Sequence, residues 1–293
     1  MDQPFSIPSL FCCPNCQASL TTDGESLVCE GQSSHRFSVT DGVIRFVDLP
    51  GAQSYTDHWR SYAGAAPQQQ KLAQAKRFVQ WLLKNVNADK PMVILDIGCG
   101  DGNHLPFLPA NAVKIVLDYS HAIDVARTRH GHLPNIYFVQ ADALSLPIHS
   151  EKVDVVFSYG CINCVPDMDQ AIAEVDRVTG PDSTIGLWGW GTQSALLANG
   201  LHLCRLLYRL IPAALKPFFV NALVPIVALT GNSSDITARN SSLAACREIV
   251  STNLSPEKLH LFHRDTWTDF VPQHWKIQDT YDISCGQIFS REE

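Results

Sequence analysis

A glycine-rich loop behind a short apolar strand constrains this chain more than any other segment. Residues 93–105 read VILDIGCGDGNHL, so Asp96 closes an apolar run and three glycines follow it closely. Glycine tolerates positive φ and lets a ligand approach the backbone. A loop of this kind after the first strand of a doubly wound α/β domain forms a nucleotide-type pocket at the carboxyl edge of the sheet.

The spacing of the glycines argues against a dinucleotide as the ligand. The dinucleotide fingerprint G-x-G-x-x-G has its third glycine three places after the second. Here Gly102 follows Gly100 by two places, and Asn103 holds the fingerprint position. An acid two residues before the first glycine is also no part of that fingerprint.

Three further apolar segments predict strands, each followed by a polar side chain or loop. The segment KIVLD ends in Asp118, and the segment IYFV is followed by Gln-Ala-Asp, which ends in Asp142. Residues 153–158, VDVVFS, form the nearly continuous apolar run that is typical of a central parallel strand. A carboxylate at the end of the second strand is suited to accept hydrogen bonds from ribose hydroxyls.

Helical patterns separate these strands. Ser120 is a candidate N-cap for a helix over residues 122–129, and residues 169–178 repeat apolar side chains at helical spacing. Residues 179–183 contain Gly and Pro and predict a turn. Strands that alternate with helices predict a parallel sheet.

Taken together, the segments between residues 93 and 190 resemble class I S-adenosylmethionine (SAM) dependent methyltransferases. The pattern hhhD-x-G-x-G-x-G is similar to the first motif of that family, and the later acids follow in the family order. The resemblance implies a Rossmann-like α/β sheet with SAM at its carboxyl edge, where Asp142 meets the adenine amino group. The cofactor-binding residues that it implies are Tyr55, Asp96, Gly98, Cys99, Gly100, Gly102, Asp118, Tyr119, Asp142, Ala143 and Tyr159. The loop after the fourth strand then places Asn163 and Cys164 beside the substrate.

The N-terminal region carries a pattern typical of a metal site. Cys13, Cys16, Cys29 and His35 have the spacing C-x2-C-x12-C-x5-H, which closes a tetrahedral site with no open position. Asp-Gly pairs at residues 23–24 and 41–42 predict two hairpins around it. This layout resembles the zinc ribbon of the 23S rRNA guanine-N1 methyltransferase family, which implies a structural zinc. Cys12 stays open as an alternative ligand, and a redox cysteine pair stays open as an alternative function.

Charge disfavours nucleic acid as a partner. The chain has a net charge of −7, and residues 1–50 hold two basic residues against six acids. Non-specific binding to nucleic acid depends on neutralising phosphates, so an acidic ribbon is a poor RNA-binding module. The first residues lack a basic segment followed by an apolar core, so we expect no secretory signal and a cytoplasmic protein with free thiols.

We expect a zinc ribbon over residues 1–50 and a methyltransferase domain over residues 51–293, with an apolar helical insertion after strand five at 194–240. No Asp or Glu occurs between residues 183 and 234. A buried helical cap or homodimer interface, a lid over an apolar pocket and a contact with a membrane surface all fit this composition. The uncharged run over residues 217–230 is too short to span a bilayer and is broken by Pro217 and Pro225.

The expected reaction is methyl transfer from SAM to a small, rather apolar metabolite, at O, N or C, with a place in secondary metabolism. Aligning the acceptor with the methyl group can contribute about 7–11 kcal/mol, and a base is needed only for a protonated acceptor. His58 and His263 are the candidates for that base. Two alternatives stay open: an rRNA base methyltransferase, and a catalytically silent scaffold that binds protein partners.

Overall fold

The structure is a computed structural model that describes residues 10–31, 35–47, 69–189, 191–192, 207, 210–216, 218–219, 221–222, 262–263, 271–281 and 286–291. The predicted site residues Tyr55 and His58 lie outside the described residues, and so does the side chain of His263. Most of the 194–240 segment also lies outside them. The chain divides into two compact units, one of Met1–Trp190 with Asp265–Glu293 and one of Gly191–Arg264.

The first unit begins with two small hairpins. Their strands are β1 (Leu20–Asp23), β2 (Ser26–Cys29), β3 (Arg36–Thr40) and β4 (Val43–Arg45). Asp41 and Gly42 form the turn of the second hairpin, with positive φ of 52° and 74°, the conformation that a two-residue hairpin turn requires. In the first hairpin Asp23 pairs with Ser26, so its turn lies one residue later, at Gly24 and Glu25. The two hairpins predicted from the sequence are therefore confirmed.

The alternating part of the first unit follows the predicted order of strands and helices. Its elements are α1 (Gln69–Leu82), β5 (Val93–Ile97), β6 (Val113–Asp118), α2 (Ala122–His130), β7 (Ile136–Gln140), β8 (Val153–Tyr159), α3 (Met168–Val178) and β9 (Thr179–Trp188). All residues of β6 and β7 are buried, as expected for parallel strands in the middle of a sheet. Residues 179–183, which predict a turn, instead belong to β9, where the pairing with β8 shifts register.

One mixed sheet of eleven strands joins these elements to a C-terminal hairpin. After β10 (Gly191–Thr192) and β11 (Phe262–His263), which pair in the second unit, the hairpin consists of β12 (Trp275–Tyr281) and β13 (Gly286–Arg291). The strand order is β1-β2-β3-β4-β7-β6-β5-β8-β9-β13-β12, with β13 antiparallel to both of its neighbours. The architecture is that of a Rossmann-like α/β fold with a mixed sheet.

The N-terminal hairpins extend this sheet. Strand β4 pairs in parallel with β7, with Val43 opposite Phe138 and Arg45 opposite Gln140. The sheet is therefore continuous across the boundary that we expected at residue 50.

The helices begin close to their predicted positions. Asp167 caps α3 by accepting a hydrogen bond from the Gln170 N–H at 3.0 Å. Helix α2 begins after His121, one residue later than the predicted cap, but the Ser120 hydroxyl accepts the Ala122 N–H at 3.2 Å. Ser120 therefore still satisfies an N–H at the start of α2.

The second unit exposes large apolar side chains. Leu207, Leu210, Leu215 and Phe218 are between 44% and 76% exposed. None of the helices that the structure describes is long and apolar enough to cross a membrane.

A partly buried ion pair holds the segment between β7 and β8 against α3. Arg177 donates to both carboxylate oxygens of Glu174 and to the carbonyls of Leu146 and Ile148, at 2.7–2.9 Å. Glu174 also accepts the Leu146 N–H at 2.7 Å. Each of these charged groups is thus compensated by several hydrogen bonds.

We predict that Arg177→Met lowers the free energy of unfolding by about 3 kcal/mol, because it leaves the Glu174 carboxylate buried without its cation. The matched control is Arg36→Met, which breaks an ion pair with Asp23 whose two side chains are 54% and 64% exposed. That variant should cost about 0.5 kcal/mol or less. Urea unfolding of the purified chain measures both, and equal losses would contradict the assignment.

Candidate functional site

The glycine loop after β5 is held by β6 on one side and by the loop after β8 on the other. Gly98, Gly100 and Gly102 all have positive φ, between 55° and 80°. The N–H groups of Gly98 and Cys99 both donate to the Leu117 carbonyl, at 2.8 and 3.0 Å. A Cβ on Gly98 would lie 2.1 Å from the Cβ of Cys161, so only glycine fits at this position.

Asp118 lies at the centre of this arrangement. Its Oδ2 accepts the Gly100 N–H at 2.9 Å, and its Oδ1 accepts both the N–H and the hydroxyl of Ser120, at 2.9 and 2.7 Å. Burial raises the pKa of this carboxyl, and the hydrogen bonds from Ser120 and Gly100 oppose the shift. The carboxylate thereby fixes the glycine loop relative to the end of β6.

Asp96 and His104 form a second polar group beneath the loop. Both Asp96 oxygens and both His104 ring nitrogens are buried and have no hydrogen-bond partner within the described part of the chain. His104 Nδ1 lies 3.9 Å from Asp96 Oδ2. Burial raises the pKa of Asp96 well above its usual range and lowers the pKa of His104 to about 4. Such unpaired buried groups call for a ligand or ordered water.

An aromatic wall packs around His104. Its ring centroid lies 5.2–5.6 Å from those of Phe78, Phe157 and Tyr159. Tyr159 also stacks on Trp188, with 4.1 Å between centroids and an interplanar angle of 5°. His104 is thus surrounded by aromatic rings from α1 and β8, and a ring from β9 stacks on one of them.

The turn after β7 carries the third predicted acid. The half-buried Asp142 accepts the Leu144 N–H on Oδ1 at 2.9 Å, and Ala143 is buried. Tyr119, directly after β6, is 43% exposed and offers its carbonyl to the Gln140 side chain at 3.2 Å. These residues lie at the carboxyl ends of neighbouring parallel strands, the usual ligand position in such sheets.

The loop after β8 forms the other side of the site. Asn163 is buried, and its Oδ1 has no partner among the residues that the structure describes. Cys164 is half-buried, with its Sγ 3.7 Å from the Gly160 carbonyl. Burial raises the pKa of Cys161 well above its usual range, so this thiol is protonated at neutral pH.

The four predicted metal ligands come together. The donor atoms of Cys13, Cys16, Cys29 and His35 all lie within 4.8 Å of one another. Cys13 Sγ is 3.3 Å from His35 Nδ1, and Cys16 Sγ is 3.4 Å from Cys29 Sγ. Three thiols and one imidazole at this separation fit a tetrahedral zinc.

Cys12 stands apart from this cluster. Its Sγ bonds the Gln17 side chain at 3.3 Å, and burial raises its pKa to about 12. The structure thus places Cys13, and not Cys12, in the cluster of candidate ligands, a choice that the sequence left open.

Residues 95–187 match the family model described as "Methyltransferase domain". By this match the stretch is similar to methyltransferase domains. One relative, a probable phthiotriol/phenolphthiotriol dimycocerosates methyltransferase 2 of Mycobacterium ulcerans, is 36% identical over 92 residues, which cover 30% of this chain and 35% of the relative. The demethylmenaquinone methyltransferase of Streptomyces griseus is 31% identical over 117 residues, which cover 39% and 49%. The chain thus spans less than half the length of these relatives.

Among solved structures, the CurJ carbon methyltransferase is similar with a TM-score of 0.51 and 11% sequence identity. The match covers 85% of this chain and 62% of that one. At this level of identity the similarity concerns the fold alone.

The burial of His104 beside Asp96 could not be predicted from the sequence. The residues that bury it, Phe78 and Tyr159, are remote from it in sequence, so no local pattern signals the contact. The stacking of Tyr159 on Trp188 was missed for the same reason.

We predict that the chain loses stability as the pH falls from about 6.5 to about 4, in part because of His104. The unfolded state takes up a proton on this histidine near its ordinary pKa, whereas the folded state does so only near pH 4. His104→Leu should remove up to about 3 kcal/mol of this acid sensitivity. Urea unfolding at pH 7 and pH 4.5 measures it, with His132→Gln at an exposed position as the control. An unchanged pH dependence in His104→Leu would contradict the prediction.

Proposed function

We propose that this chain transfers the methyl group of SAM to a small, rather apolar metabolite. The observation that carries the proposal is the convergence of the glycine loop, Asp118 and Asp142 at one edge of the parallel sheet. Asp96 adds a buried carboxyl group without a partner among the described residues, and this fits a site that is completed by a ligand. The residues present therefore fit SAM.

The binding roles follow from the position of each group. We assign Asp118 to the ribose hydroxyls and Asp142 to the adenine amino group, while the glycine loop wraps the methionine part. When bound, SAM supplies a methyl group already activated on a sulfonium. The chain therefore has mainly to align the acceptor and exclude water; we assign Asn163 and Cys164 to this task and Tyr159 to the cofactor.

The apolar character of the substrate is supported by composition and by the relatives. The described part of residues 207–222 exposes four large apolar side chains, and the surrounding segment holds no acid. The relatives are named for a phthiotriol dimycocerosate and for demethylmenaquinone, both apolar molecules. We keep from the sequence the proposal that residues 194–240 form an apolar insertion, whose role as a buried helical cap or homodimer interface, as a lid or as a contact with a membrane surface stays open.

The base that a protonated acceptor would require remains assigned to His58 or His263. Both are proposals from the sequence, and His104 is disfavoured as a replacement because burial lowers its pKa to about 4 and so makes it a weak base.

We also propose that Cys13, Cys16, Cys29 and His35 hold a structural zinc. All four positions of a tetrahedral ion would be taken by the protein, which leaves none for a substrate or water. The Gly31 N–H adds a hydrogen bond to Cys29 Sγ at 3.3 Å, a contact that favours the thiolate.

We predict that the purified chain binds S-adenosylhomocysteine (SAH) and that Asp118→Ala weakens this binding at least tenfold. The variant loses the proposed ribose acceptor together with the hydrogen bonds that hold Gly100 and Ser120. Isothermal titration calorimetry measures the affinity, and Asp89→Ala, at an exposed acid outside the site, is the matched control. Absence of binding by the unmodified chain at SAH concentrations of about 100 μM would overturn the proposal and favour a silent scaffold.

The acceptor class is tested by incubating the chain with radiolabelled SAM and either a lipid-rich metabolite extract or total RNA. We predict label in the organic phase and none in RNA, because the N-terminal region is acidic. Label in RNA would instead support the rRNA alternative.

We predict that the chain purifies with about one zinc per molecule and that Cys29→Ser loses it, because removing one of four ligands opens the site. Cys12→Ser is the control, since Cys12 lies outside the ligand cluster, and it should retain the metal. Elemental analysis by mass spectrometry gives both values. Full zinc retention in Cys29→Ser would exclude the assigned ligand set.

A further inference from the structure

The metal cluster is joined to the proposed adenine-binding turn by two consecutive hydrogen bonds. Pro14 lies between two of the proposed ligands, Cys13 and Cys16, and its carbonyl accepts the Ser145 hydroxyl at 2.6 Å. The Ser145 N–H donates in turn to the Asp142 carbonyl at 3.1 Å. A metal ion that fixes both cysteines thereby fixes Pro14, and through Ser145 it fixes the turn that carries Asp142.

The backbone around this contact reinforces it. Residues 10–12 run antiparallel to residues 147–149: the Cys12 N–H donates to the Pro147 carbonyl at 3.1 Å, and the His149 N–H donates to the Leu10 carbonyl at 3.0 Å. Phe11, between them, is fully buried against Tyr137 of β7, with 5.4 Å between ring centroids. The segment before the metal ligands is therefore packed against the segment after Asp142.

A second connection runs from the metal cluster through β3, which begins directly after His35 and pairs with β4, with Ser38 opposite Arg45. Arg45 donates to Gln140 Oε1 at 2.7 Å and forms an ion pair with Asp124 of α2. Gln140 is buried, and its Nε2 donates to the carbonyl of Tyr119, the residue after Asp118. Arg45 thus reaches the loop after β6, where the ribose acceptor lies, through one buried amide.

We propose that Ser145 and Arg45 are positioning residues that couple the metal cluster to the cofactor site, so that zinc and SAM each strengthen the binding of the other. The inference rests on the proposed function, since it needs both ligands. Its physical basis is that one connection reaches the chain at Gln140, just before Ala141–Asp142, and the other reaches it at Ser145, just after. Coupling between two sites is reciprocal, so each ligand must change the affinity of the other by the same factor.

The experiment compares SAH binding to the zinc-loaded unmodified chain with binding to Ser145→Ala and Ser145→Thr. Loss of the hydroxyl should weaken SAH about five- to tenfold, whereas Thr keeps a hydroxyl and should stay within about twofold. Thr21→Ala is the matched control, because the Thr21 hydroxyl bonds the Val28 carbonyl inside the hairpin. Calorimetry gives the affinities, and elemental analysis verifies that every variant carries the same zinc content.

A second measurement separates coupling from a general loss of stability. Competition with a chelator of known affinity gives the zinc affinity with and without saturating SAH. In the unmodified chain, saturating SAH should lower the dissociation constant for zinc. The ratio of the constants without and with SAH should fall towards one in Ser145→Ala and in Arg45→Met. If SAH binds the unmodified chain but leaves its zinc affinity unchanged, or if Ser145→Ala binds SAH like the unmodified chain, the inference is overturned while the proposed function stands. If the unmodified chain binds no SAH, the proposed function itself fails.

Discussion

The carboxylate of Asp118 is the constraint on which the rest of the site depends. It accepts the N–H of Gly100 from one loop and two donors of Ser120 from another, so it links the ends of β5 and β6. Without an acceptor at this point, the glycine loop would have to leave buried N–H groups unpaired or unfold outward. The same acid that is proposed to bind ribose therefore also shapes the loop that is proposed to bind methionine. Binding and local architecture are inseparable at this residue.

Local patterns were sufficient to predict much of the fold. The apolar run ending at Asp96 and the Asp-Gly turns are signals within a few residues, and they correctly gave β5 and both hairpins. The Cys and His spacing likewise predicted which four donors converge. These predictions succeeded because strand burial, turn conformation and ligand spacing are decided by neighbours along the chain.

Contacts between remote segments could not be predicted in this way. The pairing of β4 with β7, the aromatic enclosure of His104 and the Ser145–Pro14 hydrogen bond each join residues far apart in sequence. A serine in a polar turn carries no mark that its partner is a carbonyl in a metal-binding loop. The turn predicted at residues 179–183 failed for a related reason, since pairing with β8 draws that segment into a strand.

The position of the N-terminal hairpins has a consequence for the tendency of the chain to aggregate. Strand β7, of sequence IYFVQ, is buried throughout, and β4 covers its free edge. The edge of the sheet is thereby moved outward to β1, a short strand whose last three residues, Thr21, Thr22 and Asp23, are exposed. Short polar edges resist pairing with another chain, whereas a long apolar edge promotes it. The hairpins thus protect the edge of β7 from pairing with another chain. If they unfold, this apolar edge is exposed and can pair with a second molecule, which promotes aggregation.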